Sequence, residues 1–597
     1  MRLQSIDWAV VATVLGLTLA VGVALARRAG SSAREFFLSG RKMPWWLLGI
    51  SMVATTFSTD TPNLVTDIVR QQGVAGNWVW WAFLLTGMLT TFVYARLWRR
   101  SGVETDVGFY ELRYSGRLAA FLRGFRALYL GAFFNVMIMA SVTLATIKIG
   151  GVLLGLSPGT TVLVGGTITV VYSMLGGLTG VLMTDFLLFF MAMVGSLAAA
   201  WYALAQPQVG GLSGLLNHPE IHGRLALVPD FSDPSLAVAI FVIPLAVQWW
   251  SVWYPGAEPG GGGYIAQRML AARDEGHAQG ATLLFNVAHY ALRPWPWILV
   301  GLSSLLVFPD LASLRAAFPG VEEKVVQHDM AYAAMLTFLP AGLLGLVVAS
   351  LMAAYMSTIS THLNWGASYL VHDFYKRFVD PEAPERRLVL VGRLSTVGLM
   401  VAAGLVSLWL SNALQAFQIL LQIGAGTGLL FLLRWFWWRV NAASELVAMT
   451  VSFLVAAYFQ FAHHRLFDVE IADWQRLVIG VAVTTVAWLS VALLTPPADG
   501  AVLRRFCRTI RPGGPGWEAV RRRAAADGEP LPDGTSELPL GILCMVLGSL
   551  AVYCALFATG LFLYGRPVPG AVLTIVGAAA ALGILRLWSR RAQVPTE

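Results

Sequence analysis

Long apolar stretches alternate with short polar ones along almost the whole chain. About 15 of them reach the roughly 20 residues that a helix needs to cross the hydrocarbon core of a bilayer. The predicted fold class is therefore an all-α polytopic membrane protein with about 15 transmembrane helices. The predicted spans, numbered 1 to 15 below, cover 7–26, 44–70, 77–98, 121–154, 158–175, 178–204, 236–254 with a continuation to 270, 280–308, 339–374, 388–410, 413–437, 441–462, 474–495, 540–563 and 568–588.

Composition supports a membrane protein and excludes several other classes. Of the 597 residues, 57% are hydrophobic and only 12% are charged, which is not the balance of a water-soluble domain. The first apolar run begins at Asp7 and ends at Arg27 and Arg28 without a small-residue cleavage site. We therefore expect it to be a first span and not a cleaved signal peptide. The three cysteines have neither disulfide nor metal spacing.

The positive charges follow the loops and predict an orientation. The net charge is +8. The loops after spans 1, 3, 7, 9, 11 and 13, with the C-terminus, hold about 30 of the 41 Lys and Arg residues, and cytoplasmic loops are the ones enriched in these residues. We expect the N-terminus outside, the C-terminus in the cytoplasm, and a location in the plasma or inner cell membrane. This distribution accounts for the charge without a nucleic-acid partner.

The second span is interrupted in its middle by a polar run, 55–63. Pro62 has no amide hydrogen and its ring clashes with the carbonyl four residues back, so the carbonyls near Ala54 to Ser58 lose their helical partners. In lipid a cation or a lined cavity must satisfy them; a proline kink healed by neighbouring hydroxyls is the alternative. Asp60, a carboxylate at membrane depth, is a functional candidate.

The seventh span is interrupted by the run Pro-Gly-Ala-Glu-Pro-Gly-Gly-Gly-Gly at 255–263. Glycine and proline are the weakest helix formers. Two interrupted spans that lie five spans apart predict an inverted five-helix repeat with the binding site at the breaks; an interfacial loop after a short seventh span is the alternative. The predicted units are a peripheral first helix with its loop (1–40), the first repeat (41–205), the second repeat with external helices (206–440), and C-terminal peripheral helices (441–597) with a cytoplasmic linker at 496–539.

The ninth span has four hydroxyl side chains in five positions: Ser357, Thr358, Ser360 and Thr361. Helical spacing places Ser357, Ser360 and Thr361 on one face. Clustered hydroxyl oxygens suit a small hard cation. The alternative is that these hydroxyls bond their own backbone or a neighbouring helix.

Other polar residues inside spans are candidates of the same two kinds. Asp185 begins the sixth span, where it is either a carboxylate stabilised by the helix dipole or a cation ligand that faces the hydroxyls of span 9. The remaining candidates for solute contacts or inter-helix bonds are Asn135, Lys148, Gln248, His289, Arg293, Gln418 and Gln422.

Four motifs together resemble the sodium:solute symporter family, over roughly residues 5–440. They are Met43-Pro44-Trp45-Trp46 before the broken span, Gly176-Gly177-Leu178 with Thr184-Asp185, Tyr264-Ile265-Ala266-Gln267-Arg268, and Ala354-Tyr355-Met356-Ser357-Thr358 followed by Asp373-Phe374-Tyr375-Lys376. Members carry sugars, proline, sialic acid, iodide, vitamins and monocarboxylates. The resemblance implies the leucine-transporter-type fold and secondary active transport driven by a sodium gradient.

Carried over position by position, the resemblance implies two sodium sites. The main site falls on the backbone carbonyls of Ala54, Phe57 and Ala354 and the hydroxyls of Ser357 and Thr358. The second site, present in some members, falls on Asp185, Ser357, Ser360 and Thr361. Two sodium ions per cycle follow from this correspondence, with sodium as the transported coupling ion.

The expected solute is a small polar organic molecule bound between the two breaks, near Asp60, Thr61, Asn135, Tyr264 and Gln418. The chain departs from the family at Gly180 and Leu188, and its 255–263 insert is longer than in the sugar carriers. The glutamine and glutamate positions that bind sugar in the family fall near Thr61 and Trp80, which counts against sugar itself as the solute. Amino acids and sugar derivatives both stay open.

Other functions remain as alternatives. A proton-coupled symporter would use Asp60 and Asp185, and a non-transporting sensor or channel would use 496–597 as its output arm. An enzyme is not expected, because the sequence has no nucleophile arrangement, metal cluster or phosphate loop. We expect a monomer whose partners are the solute, sodium and the lipid bilayer.

Overall fold

The structure, a computed structural model, describes residues 3–29, 33–56, 58–252, 258–410, 413–424, 426–467, 469–532 and 537–591. These residues form helices joined by short loops. In this part of the chain, the β pairing consists of one isolated bridge between Met43 and Ala272. The all-α fold class predicted from the apolar pattern is confirmed.

Each predicted span contains helix in the structure. In chain order, the helices of spans 1 to 15 are Ser5–Ala29; Trp45–Thr56 and Asp60–Gln72; Val74–Ser101; Gly116–Leu154; Pro158–Leu204, which contains spans 5 and 6; Pro234–Ala246 and Gly263–Ala271; Glu275–Val307; Leu343–Val379; Glu385–Ser407; Ala413–Gly424 and Gly428–Leu433; Ala442–Leu466; Asp473–Leu494; Glu537–Leu563; and Pro567–Arg591. Spans 5 and 6 are separated at Gly177, whose φ of 54° and ψ of −167° are not helical.

Nine of the described helices are long and apolar enough to cross a membrane by length and composition. The count is ten if the pair Glu275–Val307 and Leu311–Ala317, bent by 83°, is one span. Breaks divide spans 2, 7 and 11 into pieces that are too short to pass such a test. The number of about 15 therefore stays a prediction.

The predicted interruption of the second span is confirmed. The first helix of this span ends at Thr56 and the next begins at Asp60. Pro62 lies in the first turn of the second helix, where a missing amide hydrogen costs little. The proline therefore begins a helix after the break.

The seventh span is also broken. A short 3₁₀ turn, Gln248–Trp250, ends its first part and helix resumes at Gly263. Gly260 and Gly261 have φ values of +84° and +97°, which favour glycine. A Cβ at Gly260 would lie 2.9 Å from the ring of Tyr94. The glycine run thus allows both the backbone turn and a close approach to span 3.

The basic loops gather at one end of the helix bundle, here called the basic end. Arg41 donates to the carbonyls of Gly102 and Val103 at 2.9 and 2.7 Å. Arg100 pairs with Glu275 at 2.9 Å. These contacts place the loops after spans 1, 3 and 7 together.

Other loops meet at the opposite end. Arg70, at the end of span 2, donates to the carbonyl of Phe308 at 2.8 Å. The Trp78 indole donates to the carbonyl of Leu227 at 2.9 Å. Loops after even-numbered spans are therefore brought together, as the alternation of charge along the chain predicts.

The segment predicted as a linker, 496–539, contains two helices, Gly500–Ile510 and Glu518–Ala526, that pack on the basic end. The buried Trp517 indole donates to the carbonyl of Trp435 at 2.8 Å. Burial raises the pKa of the Cys507 thiol to about 12. Apolar residues at helical spacing in 503–510 indicate an amphipathic helix that packs on one face. The Pro, Gly and Arg content of the whole segment had favoured a linker instead.

Candidate functional site

The carbonyls at the end of the first helix of span 2 accept hydrogen bonds from side chains of other spans. The Arg293 guanidinium donates to the carbonyls of Val53 and Thr56 at 2.7 and 3.0 Å. The Thr358 hydroxyl donates to the carbonyl of Thr55 at 2.8 Å. The break is therefore lined by a cation and by a hydroxyl of span 9, two of the partners that a freed carbonyl needs in a membrane.

The residues implied for the main sodium site are Ala54, Phe57, Ala354, Ser357 and Thr358. Phe57 lies outside the described residues. Ala54 and Ala354 are buried, and the Thr358–Thr55 bond joins span 9 to the residue beside Ala54. The Ser357 hydroxyl donates to Asp185. The structure thus brings spans 2, 6 and 9 together at the break.

Of the residues implied for the second sodium site, Ser357 contacts the Asp185 carboxylate directly. One Asp185 oxygen accepts from Ser357 and the other accepts from Ser51. Ser360 donates to the carbonyl of Ser357 at 3.0 Å, within its own helix. All of these side chains are buried. A carboxylate with several hydroxyls is a ligand set for a hard cation such as sodium.

Thr361 completes the second group. Its Oγ1 lies 3.3 Å from Thr55 Oγ1 and accepts a hydrogen bond from Arg268 at 2.9 Å. Arg268 and Ser51 were not among the predicted site residues. Arg268 belongs to one of the motifs that carried the resemblance. Ser51 lies one helical turn before the polar run, so helical spacing could have drawn attention to it.

The predicted solute residues are Asp60, Thr61, Asn135, Tyr264 and Gln418. Asp60 and Thr61 are half-buried at the start of the second helix of span 2. The Thr61 hydroxyl donates to the carbonyl of Thr56 at 3.0 Å, across the break. Tyr264 is buried, and its ring lies over the Arg268 guanidinium at 5.8 Å.

Asn135 and Gln418 lie in other surroundings. The buried Asn135 amide donates to the carbonyl of His362 at 2.8 Å, and its oxygen lies 2.6 Å from His362 Nδ1, so it binds span 4 to span 9. Gln418 lines a cavity of about 460 Å³ at the opposite end, together with Gln72, Gln248 and Asp473. None of the other predicted solute residues lines this cavity.

Two further polar candidates of the sequence make inter-helix bonds. Lys148 Nζ lies 2.6 Å from both carboxylate oxygens of Asp329, in the loop before span 9. The Gln248 amide donates to the carbonyl of Val79 at 2.5 Å. These bonds fix the position of spans 4 and 7 at the opposite end of the bundle.

The basic end holds a smaller cavity of about 120 Å³, lined among others by Asp106, Gln267 and Tyr369. The backbone amide of Gly263 donates to Asp106 at 2.7 Å, and the Tyr369 hydroxyl donates to the same carboxylate. Burial raises the pKa of Asp106 above its usual range. Glu258, in the glycine-rich insert, pairs with Arg126 and Arg434. Residues 258–263 of the insert are therefore held at this end by buried polar contacts.

Comparisons with known proteins agree with this architecture. Residues 36–452 match the family model of the sodium:solute symporter family. A sodium/glucose cotransporter of Vibrio parahaemolyticus is 26% identical over 482 residues, covering 77% of this chain and 86% of the relative. A sodium/mannose cotransporter of Bos taurus is 26% identical over 489 residues, covering 76% and 79%. The solved outward-open structure of a sodium-coupled sialic acid symporter has a TM-score of 0.64 at 20% identity, covers 83% of this chain and 99% of that chain, and shows the same fold.

Proposed function

The chain belongs to the sodium:solute symporter family, and we propose that it carries a small polar organic solute together with sodium by alternating access. Membership places it among sodium-coupled transporters and not among enzymes. The observation that carries the proposal is the meeting of the broken second span and the hydroxyls of span 9. Broken helices that meet near the middle of a membrane are where such carriers bind ion and solute.

We assign the main sodium ion to the carbonyls of Ala54, Phe57 and Ala354 and the hydroxyls of Ser357 and Thr358. The 2.8 Å bond from Thr358 to Thr55 supports this assignment, because it places a span 9 hydroxyl against the carbonyl end of the first helix of span 2. A small rotation of the Thr358 side chain would exchange this carbonyl for an ion. Sodium bound there would hold the two spans together.

We assign a second sodium ion to Asp185, Ser357, Ser360 and Thr361. The contact between Ser357 and Asp185 supports a shared site on spans 6 and 9. Ser357 would then serve both ions, which couples their binding. A proton taken up by Asp185 or Asp60 is the competing source of coupling.

The solute would bind beside the break, near Asp60, Thr61 and Tyr264. A half-buried carboxylate and a hydroxyl offer hydrogen bonds to a polar molecule. Trp80 packs on Tyr290, with ring centroids 5.8 Å apart, and its indole donates to Asn77 at 2.8 Å. That position is filled by packed aromatic rings, so the sugar-binding pattern of the family does not transfer there. Asn135 and Gln418 would act indirectly, by positioning spans and by lining the entry path.

The basic end would face the cytoplasm, because Lys and Arg mark cytoplasmic loops. The cavity of about 460 Å³ would then open to the outside and admit sodium and solute. Rocking of one group of helices against the other would open the insert over the basic end and release both inside. We propose that a monomer in the plasma or inner membrane carries out this cycle.

Uptake into proteoliposomes tests the proposed function. A panel of amino acids, sugars, polyols and amines is screened with an inward sodium gradient, and again with choline in place of sodium at the same pH. We expect uptake of at least one solute only with sodium. Uptake that follows a pH gradient and ignores sodium would favour the proton-coupled alternative.

Thr358→Ala tests the main site in the same assay. We expect the sodium concentration for half-maximal uptake to rise at least about tenfold, which corresponds to about 1.4 kcal/mol, because one ligand oxygen is lost. Ser350→Ala is the matched control: this buried hydroxyl of the same helix donates only to the carbonyl of Val347, at 2.8 Å. Equal sodium dependence in both variants would show that the site is misplaced.

A further inference from the structure

Arg268 lies within the second group of sodium ligands, although the proposed function gives it no role. Its Nε and Nη2 atoms donate to Ser51 Oγ at 3.3 and 3.2 Å, and Nη2 also donates to Thr361 Oγ1 at 2.9 Å. Its Nη1 atom donates to Gln267 at 3.0 Å. The side chain is fully buried. The guanidinium thus binds one assigned ligand of the site, Thr361, and the hydroxyl of Ser51.

The Ser51 hydroxyl links this cation to the Asp185 carboxylate. It donates to Asp185 and accepts from Arg268, so one hydroxyl separates the two charges. A buried carboxylate within a membrane is stable only with a nearby positive charge or strong hydrogen bonds. With the sodium site empty, the pair of Asp185 and Arg268 is neutral. With sodium bound and the arginine in place, the group would hold two positive charges against one.

We propose that Arg268 is a tethered counter-ion that competes with the second sodium ion for Asp185. The inference rests on the proposed second sodium site and makes Arg268 a positioning residue. Repulsion between the guanidinium and the ion lowers the sodium affinity, because the low dielectric of the interior screens charges weakly. The arginine keeps Asp185 neutralised after the ion leaves and so eases sodium release.

The position of Arg268 on the broken seventh span connects this exchange to movement. Arg268 belongs to helix Gly263–Ala271, whose first residue is held by Asp106 at the basic end. When this helix moves as that end opens, it carries the guanidinium with it. Sodium bound at Asp185 then favours the position of the helix in which Arg268 is away from Asp185. Without sodium, the attraction between Arg268 and Asp185 favours the position in which they are close. Sodium occupancy and helix position must bias each other by the same factor.

Equilibrium binding of radioactive sodium to the full-length protein in lipid nanodiscs tests this exchange without a solute. The variants are Arg268→Gln, Arg268→Lys, Asp185→Asn and the double variant Asp185→Asn with Arg268→Gln. We expect two sites in the wild type, one in Asp185→Asn, and two in Arg268→Gln with the second site at least about tenfold tighter. Arg268→Lys keeps the charge but loses the forked hydrogen bonds, so its second site should stay within about threefold of wild type. The double variant should match Asp185→Asn.

The outcomes separate this inference from the proposed function. A wild type that binds no sodium contradicts both. The second result separates the two claims: the wild type binds two sodium ions and Asp185→Asn binds one. If Arg268→Gln then has the same melting temperature as the wild type and an unchanged affinity at the second site, only the proposed role of Arg268 is overturned. If Arg268→Gln does not fold, Arg268→Lys is the deciding variant. A folded Arg268→Lys protein that no longer binds the second sodium ion would show that Arg268 has a structural role, and would overturn the proposal that it is a counter-ion.

Discussion

Asp7, in span 1, binds the beginning of the helix that bears the proposed hydroxyl ligands. Its Oδ1 atom accepts hydrogen bonds from the amides of Gly342 and Gly345, both at 2.7 Å. The first amides of a helix lack intrahelical partners, and a carboxylate there is also favoured by the helix dipole. A Cβ at Gly345 would lie 2.5 Å from Asp7 Cα, so the glycine permits the contact. A single carboxylate from span 1 therefore fixes one end of span 9.

Asp7→Ala should destabilise the protein by about 1 kcal/mol, the usual cost of losing a helix cap. Thermal unfolding of the purified protein measures this loss. Asp7→Asn is the control, because its amide oxygen accepts the same two bonds. If the alanine variant has the same melting temperature as the wild type, the cap does not stabilise span 9.

At the residue scale, the sequence predicted which side chains could bind a cation, but not which residues of other helices they contact. The cluster of hydroxyls at 357–361 indicated a cation site from local spacing alone. The bond from Thr358 to Thr55 spans 303 positions, and Arg268 reaches Thr361 over 93. Such pairs depend on how helices pack, which hydrophobic periodicity does not encode. Gln418 was grouped with Asp60 for the same reason; in the structure it lines the cavity of about 460 Å³ at the opposite end.

The break in span 2 combines a local cause with a distant support. Pro62 favours an interruption wherever the span packs. Arg293 lies in the middle of span 8, directly before its helical segment Pro294–Val307. It donates to the carbonyls of Val53 and Thr56, and its guanidinium lies 5.2 Å from the ring of Trp297. A cation at the carbonyl end of a helix is favoured by the helix dipole. We infer that Arg293 holds the break in the shape that presents neighbouring carbonyls to an ion.

Arg293→Gln should weaken sodium activation of uptake, with at least about a fivefold rise in the half-maximal sodium concentration, because the carbonyls lose a charged donor. Sodium titration of uptake in proteoliposomes measures the change. Arg99→Gln is the control, since Arg99 also donates to a backbone carbonyl, that of Ala272 at 2.8 Å, but at the basic end. Indistinguishable sodium curves for the two variants would remove Arg293 from the site.

At the element scale, most helices could be predicted because a membrane-spanning helix needs about 20 predominantly apolar residues. Breaks at proline and at the glycine run followed from backbone chemistry. The helices in 496–539 were missed because burial on the basic end outweighs poor helix formers in the flanking sequence. Tertiary packing decides whether such segments form helices, and this packing cannot be read from a single sequence.

The whole molecule has two unlike ends, and the proposed orientation in the membrane rests on this difference. Loops rich in Arg and Lys meet at the basic end, and the cavity of about 460 Å³ lies at the other. The three cysteines, Cys507, Cys544 and Cys554, are buried. New cysteines at exposed positions can therefore be labelled with little labelling of the native cysteines.

Glu382→Cys at the basic end and Ala316→Cys at the opposite end are both exposed positions. In intact cells, a membrane-impermeant maleimide should label only Ala316→Cys, because basic loops face the cytoplasm. Permeabilised cells, in which both variants should be labelled, are the control. The reverse pattern would invert the proposed orientation and the direction of entry.

Binding of radioactive sodium to the purified wild type, Thr358→Ala and Ser350→Ala tests most directly whether the break in span 2 and the hydroxyls of span 9 hold an ion. We expect two saturable sites in the wild type and in Ser350→Ala. In Thr358→Ala one site should be at least about tenfold weaker, which corresponds to about 1.4 kcal/mol. Wild-type binding by a folded Thr358→Ala protein would contradict the assignment of the main sodium site.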